Sequence, residues 1–399
     1  MTGPDLDALS TRTADDLDAA EGFRQPWMRE LFRKVPRYAF VPDRVWVWST
    51  DAYRPLDRTV DPVGWAQLVS DATQSVVTQV DDGRPGPDGG ALPTSSISAP
   101  NAVFTMLAAA DLESGHRVME IGTGTGYNAA LLCERVGTRN VVSVEIDPAV
   151  ARSARSALHA AGYRPTVVVA DGEAGHPAGG PYDRLLSTAS SHHVPGAWVQ
   201  QVRPGGLIVT PWRTTLATSG MAVLRVTDDG RAQGNFGHPM AFMDLRGQRR
   251  DDHSPLRDVC TRDAWDDSRA GPVRSAPHWL DDDYHARFAA GLLLPGVHAD
   301  RQDIDSGAEP AWWLSTPTSW AYVAGGTARQ WGPRDLLDEL DQAHDHWTKA
   351  GRPDLYRYGL TVTRDGTQRP WLDTPDGLLP EPFSPGVTPA RRSGRTRPL

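Results

Sequence analysis

At 399 residues, of which 39% are hydrophobic, the chain is long enough for two domains with packed cores. No stretch approaches the roughly 18–20 consecutive apolar residues of a membrane span, and residues 1–21 lack the apolar region of a secretion signal, which predicts a cytoplasmic protein with no membrane partner. The net charge of −9 argues against nucleic acid as a partner, and Cys133 and Cys260 have neither a disulfide-framework nor a metal-ligand spacing.

The first segment of the chain, residues 1–22, is rich in Asp and Ala and has few large apolar side chains. This composition predicts a flexible acidic arm. The first ordered helix is expected from Trp27 to Val35, because Trp27, Leu31 and Val35 recur at helical spacing and Pro36 ends the pattern.

A serine-rich segment, Ser95-Ser-Ile-Ser-Ala-Pro-Asn-Ala102, precedes an apolar helix predicted from Val103 to Ala110. From the residues alone, Ser98 fits the N-cap of that helix, with Pro100 near its first turn. This structural interpretation is compatible with a further role for the hydroxyl group.

The stretch that carries most information is Arg117-Val-Met-Glu-Ile-Gly-Thr-Gly-Thr-Gly-Tyr-Asn128, an apolar strand that runs into closely spaced glycines and then into a helical pattern. Such glycines let the backbone turn sharply and approach a ligand where a Cβ would clash, and the helix start offers unpaired N–H groups. A dinucleotide loop would place its third glycine at Tyr127, so the spacing disfavours NAD. With Glu120 the pattern is E-x-G-x-G-x-G, which is typical of the first motif of an S-adenosylmethionine-dependent methyltransferase.

Acidic residues end the next two predicted strands. Asn140 to Glu145 places a carboxylate about 20 residues beyond the glycines, where the ribose diol of a nucleotide needs an acceptor. Pro165 to Asp171 ends in Asp-Gly, positioned to meet an adenine amino group. Either acid alone could be a helix cap or a solvated turn. Together with the glycine loop they predict a cofactor site at the carboxyl edge of a parallel sheet.

The following pattern alternates strands and helices in the manner of a Rossmann-like α/β fold. Helices are predicted at Tyr127 to Val136, Pro148 to Gly162 and Trp198 to Val202, strands at Tyr182 to Thr188 and Gly206 to Pro211, and a hairpin from Met221 to Val226 and His238 to Leu245. His192-His193 falls in a loop near the expected substrate mouth, without a Cys, Asp or Glu at metal-ligand spacing. We expect solvated or substrate-facing histidines there, and no metal.

From Leu31 to Arg246 these motifs resemble the protein-L-isoaspartate O-methyltransferase family, as do the phrases Val35-Pro-Arg-Tyr-Ala-Phe-Val-Pro42 and Ala52-Tyr-Arg-Pro-Leu56. The resemblance implies a class I methyltransferase fold with S-adenosyl-L-methionine as cofactor, and it implies that Ser98 is the active-site serine. The implied cofactor-binding residues are Ile97, Ser98, Ala99, Pro100, Glu120, Gly122, Thr123, Gly124, Gly126, Asn128, Glu145, Ile146, Asp171 and Gly172. Ser219-Gly220 departs from the polar pair that the family usually has before its penultimate strand.

Beyond this region, residues 248–382 are predicted to form a smaller α+β domain for substrate recognition, without a counterpart in the repair enzymes of the family. The segment holds eight of the fourteen tryptophans, which fit either a small core or an exposed peptide-binding face. An amphipathic helix is predicted from Pro333 to Gly351, and a hairpin from Gly359 through Trp371. Residues 383–399 are Pro-, Ser- and Arg-rich, which predicts a disordered tail.

The C-terminal extension resembles a branch of the family associated with ribosomal peptide maturation, including lanthipeptides and graspetides. Trp312-Trp-Leu-Ser-Thr-Pro-Thr-Ser-Trp320 and Gly351-Arg-Pro have the character of that branch. The resemblance implies methylation of an aspartate side chain in a cyclised precursor peptide, leading to aspartimide or isoaspartate. The alternatives are a repair methyltransferase and a non-enzymatic peptide-recognition subunit. No pattern indicates an oligomeric state.

Overall fold

A computed structural model describes residues 3–87, 89–249, 255–273, 277–303 and 309–380. Its helices are α1 Leu6–Ala19, α2 Pro26–Lys34, α3 Pro62–Ser70, α4 Pro100–Ala109, α5 Tyr127–Val136, α6 Pro148–Ala160, α7 Gly196–Gln201, α8 Leu256–Val259, α9 Arg262–Asp266, α10 Trp279–Asp282, α11 Tyr284–Leu293 and α12 Leu336–Lys349.

Its strands are β1 Arg44–Ser49, β2 Ala52–Asp57, β3 Val76–Val80, β4 Pro93–Ile97, β5 Val118–Ile121, β6 Val141–Glu145, β7 Thr166–Val169, β8 Tyr182–Ser187, β9 Val202–Arg213, β10 Ser219–Val226, β11 Ala232–Asn235, β12 Arg269–Pro272, β13 His298–Gln302, β14 Ala311–Thr316, β15 Ser319–Ala324, β16 Thr327–Trp331, β17 Tyr358–Val362 and β18 Gln368–Leu372. Among these described helices, none combines the length and the apolar character that crossing a membrane requires.

The predicted α/β fold is confirmed by a nine-stranded sheet in the order β18-β17-β11-β10-β9-β8-β5-β6-β7. Strands β7, β6, β5, β8 and β9 pair in parallel, and β9, β10, β11 and β17 continue the sheet antiparallel. The chain leaves β5 toward β6 on one side and returns to β8 on the other. This change of direction opens a crevice at the carboxyl end of β5, where ligands of such sheets bind.

The predicted flexible arm is wrong, because α1 is a capped helix that packs into the core. The Asp5 carboxylate accepts hydrogen bonds from the backbone of Asp7 (3.1 Å) and Ala8 (3.0 Å). Ala14 and Leu17 are each 1% exposed and join the main hydrophobic cluster. Because residues 1–22 contain few large apolar side chains, the short buried face of α1 could not be recognised from the sequence.

The C-terminal region contains an antiparallel five-stranded sheet in the order β12-β16-β15-β14-β13. Leu314 of the sheet and Leu336 and Leu340 of α12 share one buried cluster, to which Trp312 also belongs. Trp320 is fully buried and stacks on Trp265, with ring centroids 5.4 Å apart. These tryptophans therefore serve a core, and the predicted amphipathic helix is α12.

The predicted C-terminal hairpin forms, but it belongs to the nine-stranded sheet. Strand β17 pairs antiparallel with β11, from Ala232 opposite Val362 to Asn235 opposite Gly359. The chain consequently divides into a first unit of residues 1–213, 219–249 and 359–377 and a second unit of residues 214–218, 250–358 and 378–399. This division differs from the contiguous boundary at 247 and 248 expected from sequence. The predicted disordered tail, 383–399, lies outside the described residues.

Candidate active site

A cavity of about 580 Å³ opens in the first unit at the carboxyl ends of β5 and β6. It brings together most of the residues predicted to bind the cofactor or substrate, namely Ile97, Ser98, Ala99, Gly122, Thr123, Gly124, Asn128, Glu145, Ile146, Asp171 and Gly172. Three predicted residues, Pro100, Glu120 and Gly126, are absent from its wall. The segments that the sequence separates by up to 75 positions thus form one site.

The glycine loop has the backbone conformation that its sequence predicts. Gly122, Gly124 and Gly126 have φ of +89°, +53° and +89°, in the region that side chains disfavour. A Cβ on Gly122 would lie 2.9 Å from Thr188 Oγ1, and one on Gly124 would lie 3.2 Å from the Ser96 carbonyl oxygen. Gly126 is the N-cap of α5. A side chain at Gly122 or Gly124 would reshape the cavity wall.

Glu145 supports this loop from the end of β6. One carboxylate oxygen accepts a hydrogen bond from the Gly124 N–H (3.0 Å), and the other accepts one from the Asp147 N–H (3.0 Å). Glu145 is only 8% exposed, and burial raises its pKa above the ordinary value. The carboxylate lines the cavity at the position expected for an acceptor of a ribose diol.

Glu120 lies behind the loop and is absent from the cavity wall. It is fully buried and accepts hydrogen bonds from Asn128 Nδ2 (2.8 Å) and from the Ser143 hydroxyl. Ser143 also lies 2.5 Å from Thr123 Oγ1. Burial raises the pKa of Glu120 to about 7. Glu120 thus supports the cavity residues Asn128, directly, and Thr123, through Ser143, and its predicted contact with the cofactor stays a prediction.

Asp171 is a helix cap, which is one of the two roles that its sequence left open. It is the N-cap of the short 3₁₀ helix Gly172–Ala174, and its Oδ1 accepts a hydrogen bond from the Glu173 N–H (3.0 Å). Asp171 nevertheless also lines the cavity. A cap uses one carboxylate oxygen, so the other can accept a hydrogen bond from a bound group.

Ser98 does not cap the helix that follows it. The N-cap of α4 is Ala99, and no side chain there accepts a capping hydrogen bond. Ser98 lines the cavity, and its backbone carbonyl accepts a hydrogen bond from Arg37 Nη2 (3.1 Å). Ser98 thus belongs to the cavity wall, and its side chain does not cap the helix.

Residues 238–249, which we call the strap, cover the cavity and were not predicted as part of the site. The sequence predicted a strand for His238 to Leu245, but the structure has an irregular segment whose members line the wall. Ser190 fastens it, because its N–H donates to the Met243 carbonyl (2.8 Å) and its own carbonyl accepts from the Leu245 N–H (2.9 Å). Pro239, which disfavours a sheet interior, is the sequence signal that could have indicated an irregular segment.

Charged side chains hold the far end of the strap. Arg246 and Arg249 both pair with Asp82, at 3.0 Å and 3.1 Å. Arg246 also lies 3.6 Å from Asp147, which receives a hydrogen bond from Gln79 Nε2 (3.1 Å). The strap is therefore joined to the 3₁₀ turn Asp81–Gly83 after β3 and to the loop after β6.

The paired histidines differ in environment. His193 is half exposed, as expected, and lies 3.8 Å from Glu173. His192 is not solvated: its side chain is 11% exposed and its Nε2 lies 3.5 Å from Asp244 Oδ2. Arg213 binds the same carboxylate at 3.0 Å. Burial acts to raise the pKa of Asp244, but hydrogen bonds and charge from His192 and Arg213 outweigh it and hold the pKa below its usual range.

The donor set of the cavity fits S-adenosyl-L-methionine. Glu145 and Asp171 offer carboxylate acceptors for ribose hydroxyl and adenine amino groups, and the left-handed glycines leave room for close backbone approach. When bound, this cofactor supplies an electrophilic methyl group. Ser98 lines the same cavity.

Comparisons with known proteins agree with this geometry. The family model described as protein-L-isoaspartate(D-aspartate) O-methyltransferase matches residues 16–250. The protein-L-isoaspartate O-methyltransferase of Thermococcus onnurineus is 36% identical over 213 residues, which are 53% of this chain and 81% of the relative. The enzyme of that name from Thermococcus sibiricus is 30% identical over 256 residues, which are 62% of this chain and 98% of the relative.

A solved structure of a protein-L-isoaspartate O-methyltransferase shares the fold. It aligns with a TM-score of 0.53 and 19% identity, and the comparison covers 92% of this chain and all of the other. Such coverage reaches beyond residue 249. The comparison thus extends over part of the C-terminal region, for which the sequence predicted no counterpart in the repair enzymes. With its cavity and its sequence matches, the chain belongs to the protein-L-isoaspartate O-methyltransferase family of S-adenosyl-L-methionine-dependent methyltransferases.

Proposed function

We propose that this enzyme methylates the side-chain carboxylate of an aspartate in a cyclised ribosomal peptide, and that the ester then gives aspartimide or, after hydrolysis, isoaspartate. The observation that carries the proposal is the second unit, a separate five-stranded domain made mostly of residues 250–358. It lies beyond residues 16–250, which the family model matches. A dedicated recognition domain suits an enzyme that must select one carboxylate in one peptide.

Methyl transfer to a carboxylate requires few catalytic groups from the protein. A carboxylate has an unperturbed pKa of roughly 4, so it is ionised at neutral pH and needs no general base. One carboxylate oxygen forms a bond to the methyl carbon while the bond from that carbon to sulfur breaks. The protein must hold the acceptor in line and exclude water, which is a problem of orientation.

In this proposal, Ser98 orients the acceptor carboxylate by donating its hydroxyl hydrogen. The strap covers the reacting groups, and Glu145 with the glycine loop holds the cofactor. After transfer, the backbone nitrogen of the next peptide residue attacks the ester carbonyl and expels methanol, which closes the succinimide. A conformationally constrained peptide favours this closure, because the reacting nitrogen is already near the ester.

A second candidate is repair of isoaspartyl residues in damaged proteins. It is favoured by the solved structure of that name, whose comparison covers 92% of this chain, because the C-terminal region then does not distinguish the two functions. The two candidates share the same cavity and cofactor. They differ in the carboxylate that the enzyme accepts and in the need for a constrained peptide.

Methyl incorporation by mass spectrometry separates the two candidates. The full-length enzyme is incubated with S-adenosyl-L-methionine and with three peptides: a lactam-cyclised peptide containing one L-aspartate, its linear form, and a linear L-isoaspartyl hexapeptide. We expect a gain of one methyl group, followed by loss of methanol, on the cyclised peptide alone. Efficient methylation of the linear isoaspartyl peptide, with none on the cyclised one, would assign the enzyme to repair.

Ser98→Ala is the matched variant for this assay. We expect it to keep cofactor affinity, measured by calorimetry, and to lose most methyl transfer, because the hydroxyl addresses the acceptor and does not cap α4. A variant with full specific activity would remove Ser98 from the mechanism.

A further inference from the structure

Arg37 is a buried arginine whose hydrogen bonds end at the active-site strand. It begins the 3₁₀ helix Arg37–Phe40 and is 3% exposed. Its Nη2 donates to the backbone carbonyls of Ser98 (3.1 Å), Ile97 (3.4 Å) and Gln74 (2.8 Å). These three acceptors are backbone oxygens of two segments, one at Gln74 and the other at Ile97 and Ser98.

The other arm of the guanidinium reaches the end of α3. Nη1 donates to the Val69 carbonyl (2.6 Å) and to the Asp71 carbonyl (3.3 Å). Burial lowers the pKa of Arg37 to about 10, which still leaves it charged at neutral pH. Burying a charge is costly unless its donors are satisfied. Both Nη groups of Arg37 bind carbonyls, whereas its buried Nε has no hydrogen-bond partner among the described residues. A guanidinium placed in this way at a cost indicates a demand for a fixed backbone.

The backbone at Ser98 has few other means of support. Strand β4 ends at Ile97, and α4 begins at Pro100 without a side-chain cap. Ser98 therefore lies between the end of β4 and Ala99, the N-cap of α4, whose carbonyl accepts a hydrogen bond from the Val103 N–H (3.1 Å). The Arg37 guanidinium holds the carbonyl of Ser98, a residue that lines the cavity.

We propose that Arg37 is a positioning residue for methyl transfer: by holding the Ile97 and Ser98 carbonyls it fixes the direction of the Ser98 hydroxyl. It does not touch the substrate or the cofactor, since it is absent from the cavity wall. The inference rests on the role proposed above for Ser98. It predicts a loss in turnover with little change in cofactor binding.

The chain provides a matched control in Arg184 of β8. This arginine is 6% exposed and likewise donates to backbone carbonyls, those of Ala110, Asp111 (2.9 Å) and Asp183 (3.0 Å). None of these acceptors lines the cavity. Arg184→Lys therefore shows how much hydrogen exchange changes when a buried arginine away from the cavity is replaced.

The first measurement needs no turnover. Hydrogen–deuterium exchange of the full-length protein is compared for the wild type, Arg37→Lys and Arg184→Lys. We expect Arg37→Lys to speed exchange in the peptide covering residues 96–103 by about tenfold, as for a lost charged hydrogen bond, while residues 118–136 are unchanged. Unchanged exchange over 96–103, or the same acceleration in Arg184→Lys, would overturn the inference. Arg37→Gln serves if the lysine variant does not fold.

The second measurement is a double-mutant cycle on a peptide that the wild type methylates, drawn from the cyclised and isoaspartyl peptides above. We expect Arg37→Lys to lower kcat by about 10–100-fold, as for a misoriented reacting group, with the Kd for S-adenosyl-L-methionine unchanged. In the Ser98→Ala background the same substitution should have little further effect. Equal losses in both backgrounds would show that Arg37 does not act through Ser98. A wild type inactive on all the peptides would refute the proposed function, and the exchange measurement would still decide on Arg37.

Discussion

At the scale of single residues, Glu145 joins the glycine loop to the strand behind it. Both of its oxygens accept backbone hydrogen bonds, from Gly124 and Asp147. In Glu145→Gln, one of these N–H groups would face an amide donor. We expect cofactor affinity to fall by about 1–3 kcal/mol, the range for a hydrogen bond to a charged group, when measured by calorimetry. Glu134→Gln is the control, because the Glu134 carboxylate binds Lys34 and Tyr163 away from the cavity. Equal affinities for both variants would remove Glu145 from the site.

Glu120 makes stability depend on pH. Its pKa is raised from 4.5 to about 7 by burial, so between these values the folded protein holds a proton that the unfolded chain releases. The stabilisation from this proton is complete below pH 4.5 and is lost as the pH rises through 7. Relative to Glu120→Gln, the wild type should therefore lose about 3 kcal/mol of unfolding free energy between pH 4.5 and 8. Urea denaturation of both proteins at the two pH values tests this, and a constant difference between them would contradict it.

At the scale of elements, α1 is part of the catalytic unit and not an appendage. Leu17 is 1% exposed in the main core, and Thr13 donates a hydrogen bond to the Ser70 carbonyl (2.6 Å). Leu17→Ala should cost about 2–4 kcal/mol of unfolding free energy, since it leaves a cavity in a packed core. Arg12→Ala, on the exposed face of the same helix, is the control. Urea midpoints that shift equally, or not at all, would restore the flexible-arm interpretation.

The elements also show which features a sequence can predict. The glycine loop, Glu145 and Asp171 were found because local chemistry at fixed spacing determines them. Helix α1 was missed because Ala14 and Leu17 give too small an apolar face to recognise without its partners. The strap was missed because it lacks a repeating structure of its own: long-range bonds to Ser190 and Asp82 define its path. Arg37 belongs to a motif that the sequence shows. Its role could not be predicted, because the five carbonyls that it binds come from separate segments of the chain.

At the scale of the whole molecule, the hairpin of β17 and β18 completes the sheet that carries the active site. Its Gln368 side chain accepts a hydrogen bond from the Val194 N–H (2.9 Å). The backbone carbonyl of Arg364, in the turn of the hairpin, accepts one from Gln200 Nε2 (2.7 Å). Trp371 is 2% exposed. A chain cut after Arg249 loses this hairpin and leaves β11 without its neighbour.

Two shortened variants therefore behave differently. A variant in which residues 250–357 are replaced by a flexible linker retains the hairpin, and we expect it to unfold cooperatively and to bind cofactor. A chain ending at Arg249 should melt at a lower temperature and bind cofactor weakly. Differential scanning calorimetry and cofactor titration test both, with circular dichroism as the control for folding. If the chain ending at Arg249 matched the full-length protein in both, the hairpin would be dispensable.

The return of the chain to β17 also constrains how the protein is made. Strand β11 ends at Asn235 and its partner begins at Tyr358, so more than a hundred residues must leave the ribosome before these strands can pair. Pairing between such distant positions is slow, because the chain entropy of a long loop is lost before the contact forms. A nascent chain that has emerged only as far as the strap still exposes the edge of β11, which invites pairing with other chains. Synthesis of the second unit thus delays completion of the catalytic sheet. A ribosome stalled within residues 250–358 would carry a methyltransferase whose nine-stranded sheet still lacks β17 and β18.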